Sequence, residues 1–308
     1  MKKLISTKMK IFMAFLLIGS ITFFTSSMVV LYRSDFKLSD YTNFGKWDLG
    51  WNNHHYYDYS STFLDEPLTN IQNLNMDFTG YDVELEVHSG SNLIINGNPN
   101  FSSVDNSLNV TNVDGTLTIL PSNISRNILI KLPSSYNNNL DFKFTDGYAN
   151  LSNMTLKTLK FQGVNADLDI NVVTLTSGNF STTNGDITLK DISSNDLSAN
   201  TLDGEIYSTN LKGNVNLTTI EGDIFAGLSN EINNSKINTT NGDVNLELPP
   251  DNNFLIDYNT VSGDFDQYSN SSNFNKYDIK RNNRNYKITI GTGTIPISIT
   301  TVNGDLSF

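Results

Sequence analysis

A short phrase recurring at near-constant spacing sets what this chain can fold into. Thr-Thr-Asn-Gly-Asp-Ile at 182–187 returns as Thr-Leu-Asp-Gly-Glu-Ile at 201–206, and its core recurs around Gly222, Gly242, Gly263 and Gly304. Degraded copies centre on Gly147 and Ala166. From 147 to 304 the glycine position advances by 19, 19, 19, 18, 20, 21 and finally 41 residues, the last being about two periods. A period near 20 residues specifies a repeat architecture.

Aligned on that glycine, the copies share an apolar register. Two residues after it stand Ala149, Leu168, Ile187, Ile206, Ile224, Val244, Phe265 and Leu306. Five before it stand Phe142, Phe161, Phe180, Ala199, Leu217, Ile237, Tyr258 and Ile299. Seven before it the column is apolar except at Gly178 and Ser235. Placing Arg284 at the glycine position supplies the missing copy, with Tyr277, Ile279, Tyr286 and Ile288 facing inward. Alternation with period 2 on both sides of a turn is strand–turn–strand, not helix.

The residue before each glycine is Asp, Asn, Ser or Glu in the clear copies, and Asn-Gly or Asp-Gly tolerates the positive φ of a tight turn. One such dipeptide alone would signal a hairpin, and a meandering antiparallel sheet is the competing architecture. A single inward register kept over successive copies favours a coil that returns to the same place. The expected fold is therefore all-β, a parallel β-solenoid (β-helix) with coils of about 20 residues over 140–308. Its rungs number about nine and are spaced about 4.8 Å apart. Asp114-Gly115 fits the same register, so entry rungs and a cap are expected over 66–139.

The first 32 residues are different material. Lys2, Lys3, Lys8 and Lys10 precede an apolar run from Ile11 to Tyr32, which as a helix would rise about 33 Å, enough to cross a bilayer. One transmembrane helix over 11–32 is expected, with a cytoplasmic tail at 1–10 and the rest extracytoplasmic. A cleavable signal peptide is the alternative. Residues 33–65 form an aromatic-rich juxtamembrane linker holding Trp47 and Trp51, a candidate interfacial anchor, cap or sugar-stacking surface. His54-His55 lies there too, but with His88 the only other histidine a zinc site is not expected.

Beyond residue 32 lie all 32 acidic residues against 16 of the 20 basic ones. That balance disfavours nucleic acid and anionic membrane surfaces as partners. The chain has no cysteine, which removes disulfides, thiolate metal sites and lipidated cysteine.

An N-terminal membrane segment, alternating strands, a strand ending in Leu132-Pro133 and repeated coils such as Thr239-Thr-Asn-Gly-Asp-Val244 and Thr260-Val-Ser-Gly-Asp-Phe265 resemble the bacterial "putative adhesin" family of β-strand repeats. The resemblance covers about 66–308. It implies a β-solenoid outside the cytoplasm with no established enzymatic activity, and it supplies no catalytic residues to carry over.

Parallel β-helices also include polysaccharide lyases and hydrolases, which need a carboxylate pair or a metal with a base on one face. Here the acids after the glycine (Asp167, Asp186, Glu205, Asp223, Asp243, Asp264, Asp305) recur once per coil, as structural residues do. No catalytic, cofactor-binding or metal-binding residue is assigned. The marked positions, Gly147, Gly185, Gly204, Gly222, Gly242, Gly263 and Gly304 with Asp186, Asp223, Asp243, Asp264 and Asp305, are structural turn positions.

Stacking would place these acids about 4.8 Å apart, so each carboxylate is expected to be held by N–H groups or Thr hydroxyls of its own turn, or else by a row of cations. The expected function is a non-enzymatic surface adhesin or cell-envelope interaction protein, its ligand unknown. An envelope-stress sensor acting through a membrane partner is the alternative, and a wall-polysaccharide enzyme comes third. Residues 304–308 suggest an uncapped last rung and hence end-to-end self-association.

Overall fold

The computed structural model describes residue 59 and residues 61–99, 107–122, 124–249, 253–266 and 277–308. The expected tail, the transmembrane helix and the linker up to 58 lie outside them. Among the described residues no helix is long and apolar enough to cross a membrane; they are all-β, twenty strands in one continuous hydrogen-bonded sheet.

The first eight strands are β1 (Ser61–Pro67), β2 (Asn73–Asp77), β3 (Asp82–His88), β4 (Asn92–Pro99), β5 (Ser107–Val113), β6 (Thr116–Ser122), β7 (Ile124–Pro133) and β8 (Asn139–Lys143). Spatial order departs from chain order here. The β2–β3 rung lies between the β6–β7 rung and the one that starts at β8, with parallel pairing on both sides. This end is closed by antiparallel strands: β5 against β6, and β4 between β7 and β1. Asp114 and Gly115, with φ of 49° and 75°, make a two-residue hairpin turn between β5 and β6. The expectation of a solenoid turn at Asp114-Gly115 is thus corrected, because two successive left-handed residues reverse the strand instead of carrying it to the next coil.

Regular coils follow through β9 (Asp146–Gln162), β10 (Asn165–Ser181), β11 (Ile187–Asn200), β12 (Ile206–Thr218), β13 (Ile224–Asn238) and β14 (Val244–Glu247). Each pairs in parallel with the next, so that Ala149, Leu168, Ile187, Ile206, Ile224 and Val244 form one file. Every member is buried, as are all eight residues of the column five before the glycine. Phe265 alone in the two-after column is only partly buried. Between these files runs a further buried one, Met154, Val173, Ile192 and Leu211, beyond a corner in each coil.

That corner is made by Asn153, Val172, Asp191 and Asn210, with φ of 56°, 55°, 53° and 53°. Asn and Asp accept the left-handed region; a β-branched residue does not. Asn210 Nδ2 also donates to Asp191 Oδ1 at 2.6 Å, a bond Val172 cannot make. Val172 is half exposed, so little packing opposes its replacement. Val172→Asn is expected to stabilise the protein by about 1 kcal/mol, read as a raised denaturation midpoint. An unchanged or lower midpoint would refute the strain at this corner.

The last six strands are β15 (Phe254–Asn259), β16 (Phe265–Asp266), β17 (Tyr277–Asn282), β18 (Asn285–Ile290), β19 (Ile295–Thr300) and β20 (Leu306–Ser307). Two corrections arise here. Arg284 does not occupy a coil turn; Asn283-Arg284 connects the antiparallel hairpin β17–β18, and β18 runs antiparallel to β15. Tyr286 and Ile288 are buried as expected, but Ile279 is exposed. The final segment is also not an open end. β19 lies between β13 and β15, and β20 between β14 and β16, parallel to both neighbours. The premise for end-to-end association through residues 304–308 therefore falls away.

Candidate functional site

Two features of the coil exterior are candidates: the turn edge and a groove on a flat face. At the turn edge, spatial order runs through positions 166, 185, 204, 222, 242, 304 and 263. A Cβ on Gly204 would fall on the carbonyl oxygen of Gly185, and one on Gly242 on that of Gly222; Gly304 and Gly263 repeat the pattern. Gly147 opens it against Tyr81 O. The glycines are thus required by backbone–backbone stacking. Positive φ, which the sequence suggested as their reason, occurs at only Gly147 and Gly222 of the seven.

The threonine three residues before the glycine has one task in four successive coils, while Thr260 and Thr301 bond within their own turns. Thr201 Oγ1 donates to Gly185 O at 3.1 Å, Thr219 Oγ1 to Gly204 O at 3.0 Å and Thr239 Oγ1 to Gly222 O at 3.1 Å. Thr182 does the same to Ala166 O. Each of these hydroxyls is buried, and each joins a coil to its predecessor.

The acids form a second ladder. Asp167 Oδ1 accepts from the Asp186 N–H at 2.9 Å, Asp186 from Glu205 at 2.8 Å and Asp223 from Asp243 at 2.7 Å. The ladder continues from Asp243 to the Asp305 N–H and from Asp305 to that of Asp264. The partner is therefore the next coil's backbone, not the residue's own turn. A charge-assisted bond contributes about 1.5–3 kcal/mol, enough to offset a like-charge repulsion of about 1 kcal/mol between exposed neighbours.

The ladder ends on side chains of the β17–β18 hairpin. Tyr286 Oη donates to Asp264 Oδ1 at 3.0 Å, Arg281 Nη2 lies 3.4 Å from the same oxygen, and Arg284 Nη1 donates to Gly263 O at 3.1 Å. Asn side chains one position before the glycine form a parallel ladder, Asn184 to Asn165 and Asn303 to Asn241 among them.

Among the described residues no group of three or more His, Cys, Asp or Glu converges as a metal site. The unfolding midpoint is expected to be the same in millimolar calcium and in chelator, since a cation bound only by the folded state would raise it. A rise of many degrees, abolished by Asp223→Asn with Asp243→Asn, would turn the ladder into a cation site.

One carboxylate outside the ladder is in a different setting. Asp169 is pushed up by burial, against the opposing pull of Lys190, and its Oδ1 meets no hydrogen-bond partner. Burial and the adjacent Asp169 push the Tyr148 phenol up to about 12.

The groove, about 270 Å³, crosses the third straight stretch of four coils. Its floor carries two files in register: Ser177, Asp196, Asn214 and Asn234, and Asn179, Ser198, Asn216 and Lys236. Asn214 Nδ2 donates to Asp196 Oδ1 at 3.0 Å and Asn216 Nδ2 to Ser198 Oγ at 3.4 Å. These two files are amide and hydroxyl with one acid and one base, repeated at about the 4.8 Å strand spacing, and Gly178, Leu197 and Val215 lie between them as an apolar strip of the lining. The groove can hydrogen-bond a neutral polar chain laid along the stack, and it holds no carboxylate pair of the kind glycoside hydrolysis uses. The sequence did not single out these residues; their one signal was polar residues at outward positions of successive copies.

No curated protein matches the chain. A solved structure from Clostridium sporogenes, described as a putative cell adhesion protein, is 12% identical and aligns over 79% of this chain and 95% of its own, with a TM-score of 0.31. A putative adhesin from Bacteroides fragilis is 15% identical over 80% of this chain and 95% of its own, with a TM-score of 0.42. The Toastrack DUF4097 family matches residues 71–308, the span that holds β2 to β20, and the chain belongs to that family.

Proposed function

We propose that this is a non-enzymatic surface protein whose solenoid face binds a neutral component of the cell envelope or of another surface, with residues 11–32 as its membrane anchor. The observation that carries this reading is the groove over four coils, with hydrogen-bonding side chains in two files in register. Its near-neutral lining contrasts with the acidic excess beyond residue 32 and favours an uncharged polar ligand. The acids of the turn edge support the non-enzymatic part, because backbone N–H groups of the next coil already engage them.

The test has two arms. Protease added to intact cells is expected to remove residues 33–308 and leave a fragment of a few kilodaltons; full protection would sink the topology. In the second arm, full-length protein in detergent is expected to co-sediment with insoluble cell-envelope polysaccharide. Ser198→Trp, which fills the groove from an outward position, should reduce retention at least tenfold. Retention equal to the unsubstituted protein would remove the groove from the function.

A further inference from the structure

The rung made by β19 and β20 is held on both sides by coils that precede it in the chain. Toward β13 and β14, Thr239 N donates to Thr300 O at 3.0 Å and Val244 N to Asp305 O at 2.8 Å. Toward β15 and β16, Thr301 N donates to Asn259 O at 2.9 Å and Leu306 N to Asp264 O at 3.0 Å. Ile297, Ile299 and Leu306 are each no more than 1% exposed.

Chain order leaves this level vacant until the end. After β14 the chain passes through Pro249-Pro250 and builds β15 one level too far, so β13 and β15 are joined only by a strand made later. Until residues 295–308 arrive, two strand edges face each other across a gap one strand wide. Such a gap is a β-insertion site, where main-chain bonds supply affinity and side-chain pockets supply specificity.

The specificity is written in this chain's own repeat. Asp305 N reaches Asp243 Oδ1 at 2.8 Å, Asp264 N reaches Asp305 Oδ1 at 2.7 Å, and Asn303 Nδ2 reaches Asn241 Oδ1 at 2.7 Å. A strand that fits needs Ile-x-Ile followed by the Asn-Gly-Asp-apolar phrase at the same spacing. Its tether to β18 is Gly291-Thr-Gly-Thr294, whose glycines have φ of 61° and 66°, so the link carries little side-chain bulk.

We propose that the vacated rung is an interaction site for a second copy of the chain, the 295–308 segment of one molecule filling the rung of another. Reciprocal exchange closes a dimer, and unreciprocated exchange propagates a chain. The tethered segment competes at high effective concentration, so exchange is set during folding in concentrated solution and reverses slowly. The mode differs from end-to-end stacking, since it uses an internal level of the stack and leaves both antiparallel ends as they are.

The absence of cysteine makes the test direct. Asp257 and Ser298 are register partners across β15 and β19, and both are exposed. Full-length Asp257→Cys and full-length Ser298→Cys are unfolded together, refolded in detergent at high micromolar concentration and treated with a short bismaleimide. The expected result is a dimer fraction in which positions 257 and 298 of different molecules are cross-linked, several-fold above a control pairing Ser298→Cys with Glu66→Cys, an exposed position on β1 at the other end of the stack. The double variant Asp257→Cys/Ser298→Cys should cross-link within one molecule in its monomer fraction, which shows that the rung has formed. No dimer, or a dimer in which 298 links to 66 as well as to 257, overturns the proposal. A double variant that fails to close within one molecule overturns the rung itself.

Discussion

Gly204→Ala is expected to destabilise the folded protein by about 3 kcal/mol, lowering the thermal midpoint by roughly ten degrees. The added methyl has nowhere to go, because the atom it meets is the carbonyl oxygen of Gly185, which also accepts the Thr201 hydroxyl. Relief would require two coils to part, at the expense of the Asp186–Glu205 bond beside them. Gly80→Ala is the control: its Cβ would stand in open space, though at a φ of 78°, so it should cost about 1 kcal/mol. Equal midpoints for the two variants would mean that contact between coils does not select glycine at position 204.

Ile206→Asp is expected to cost about 4 kcal/mol, because residue 206 is 1% exposed in the innermost file and no cation is placed to meet a carboxylate there. Tyr207→Asp changes the neighbouring outward position. It removes a ring stacked on Phe225 at 4.8 Å and should cost only about 1 kcal/mol. Denaturant melts of the two variants compare the faces of one strand directly. If they lose stability alike, the register of the coils is wrong by one residue.

Much of this register was legible in the sequence. The files through Phe180 and Ile187 could be read because alternation on either side of a fixed glycine leaves one choice of inward face. The file through Val173 could not, since the corner at Val172 breaks the alternation and valine gives no hint of a left-handed residue. Asp114-Gly115 and Asn283-Arg284 share the apolar spacing of the coils but make hairpins. Both lack Thr three before the turn position and an acid one after it, the two residues that bond across the clear coils, but so does the coil turn at Gly147 with Phe144 and Tyr148, so the phrase alone does not separate hairpin from coil. The place of the last rung was hidden for a different reason. The coils from Gly185 to Gly304 carry the same Thr and acid positions, so one can satisfy another's neighbour, and spatial order is decided by the connections. The groove was invisible because an outward Asn reads the same whether its neighbours line a depression or a flat face.

The acid ladder gives the stack a direction, since Asp167, Asp186, Asp223, Asp243 and Asp305 each accept from the coil beyond and the final carboxylate, Asp264, is met by Tyr286 and Arg281. A coil added or lost between two ladder members hands its predecessor's bond to its successor and leaves both terminal devices untouched. Loss of the 277–290 hairpin would strand Asp264 and the Gly263 carbonyl together. Length can therefore drift in units of one whole repeat while the hairpin cannot be discarded, so descendants of such a chain should differ in coil number far more readily than in how they finish.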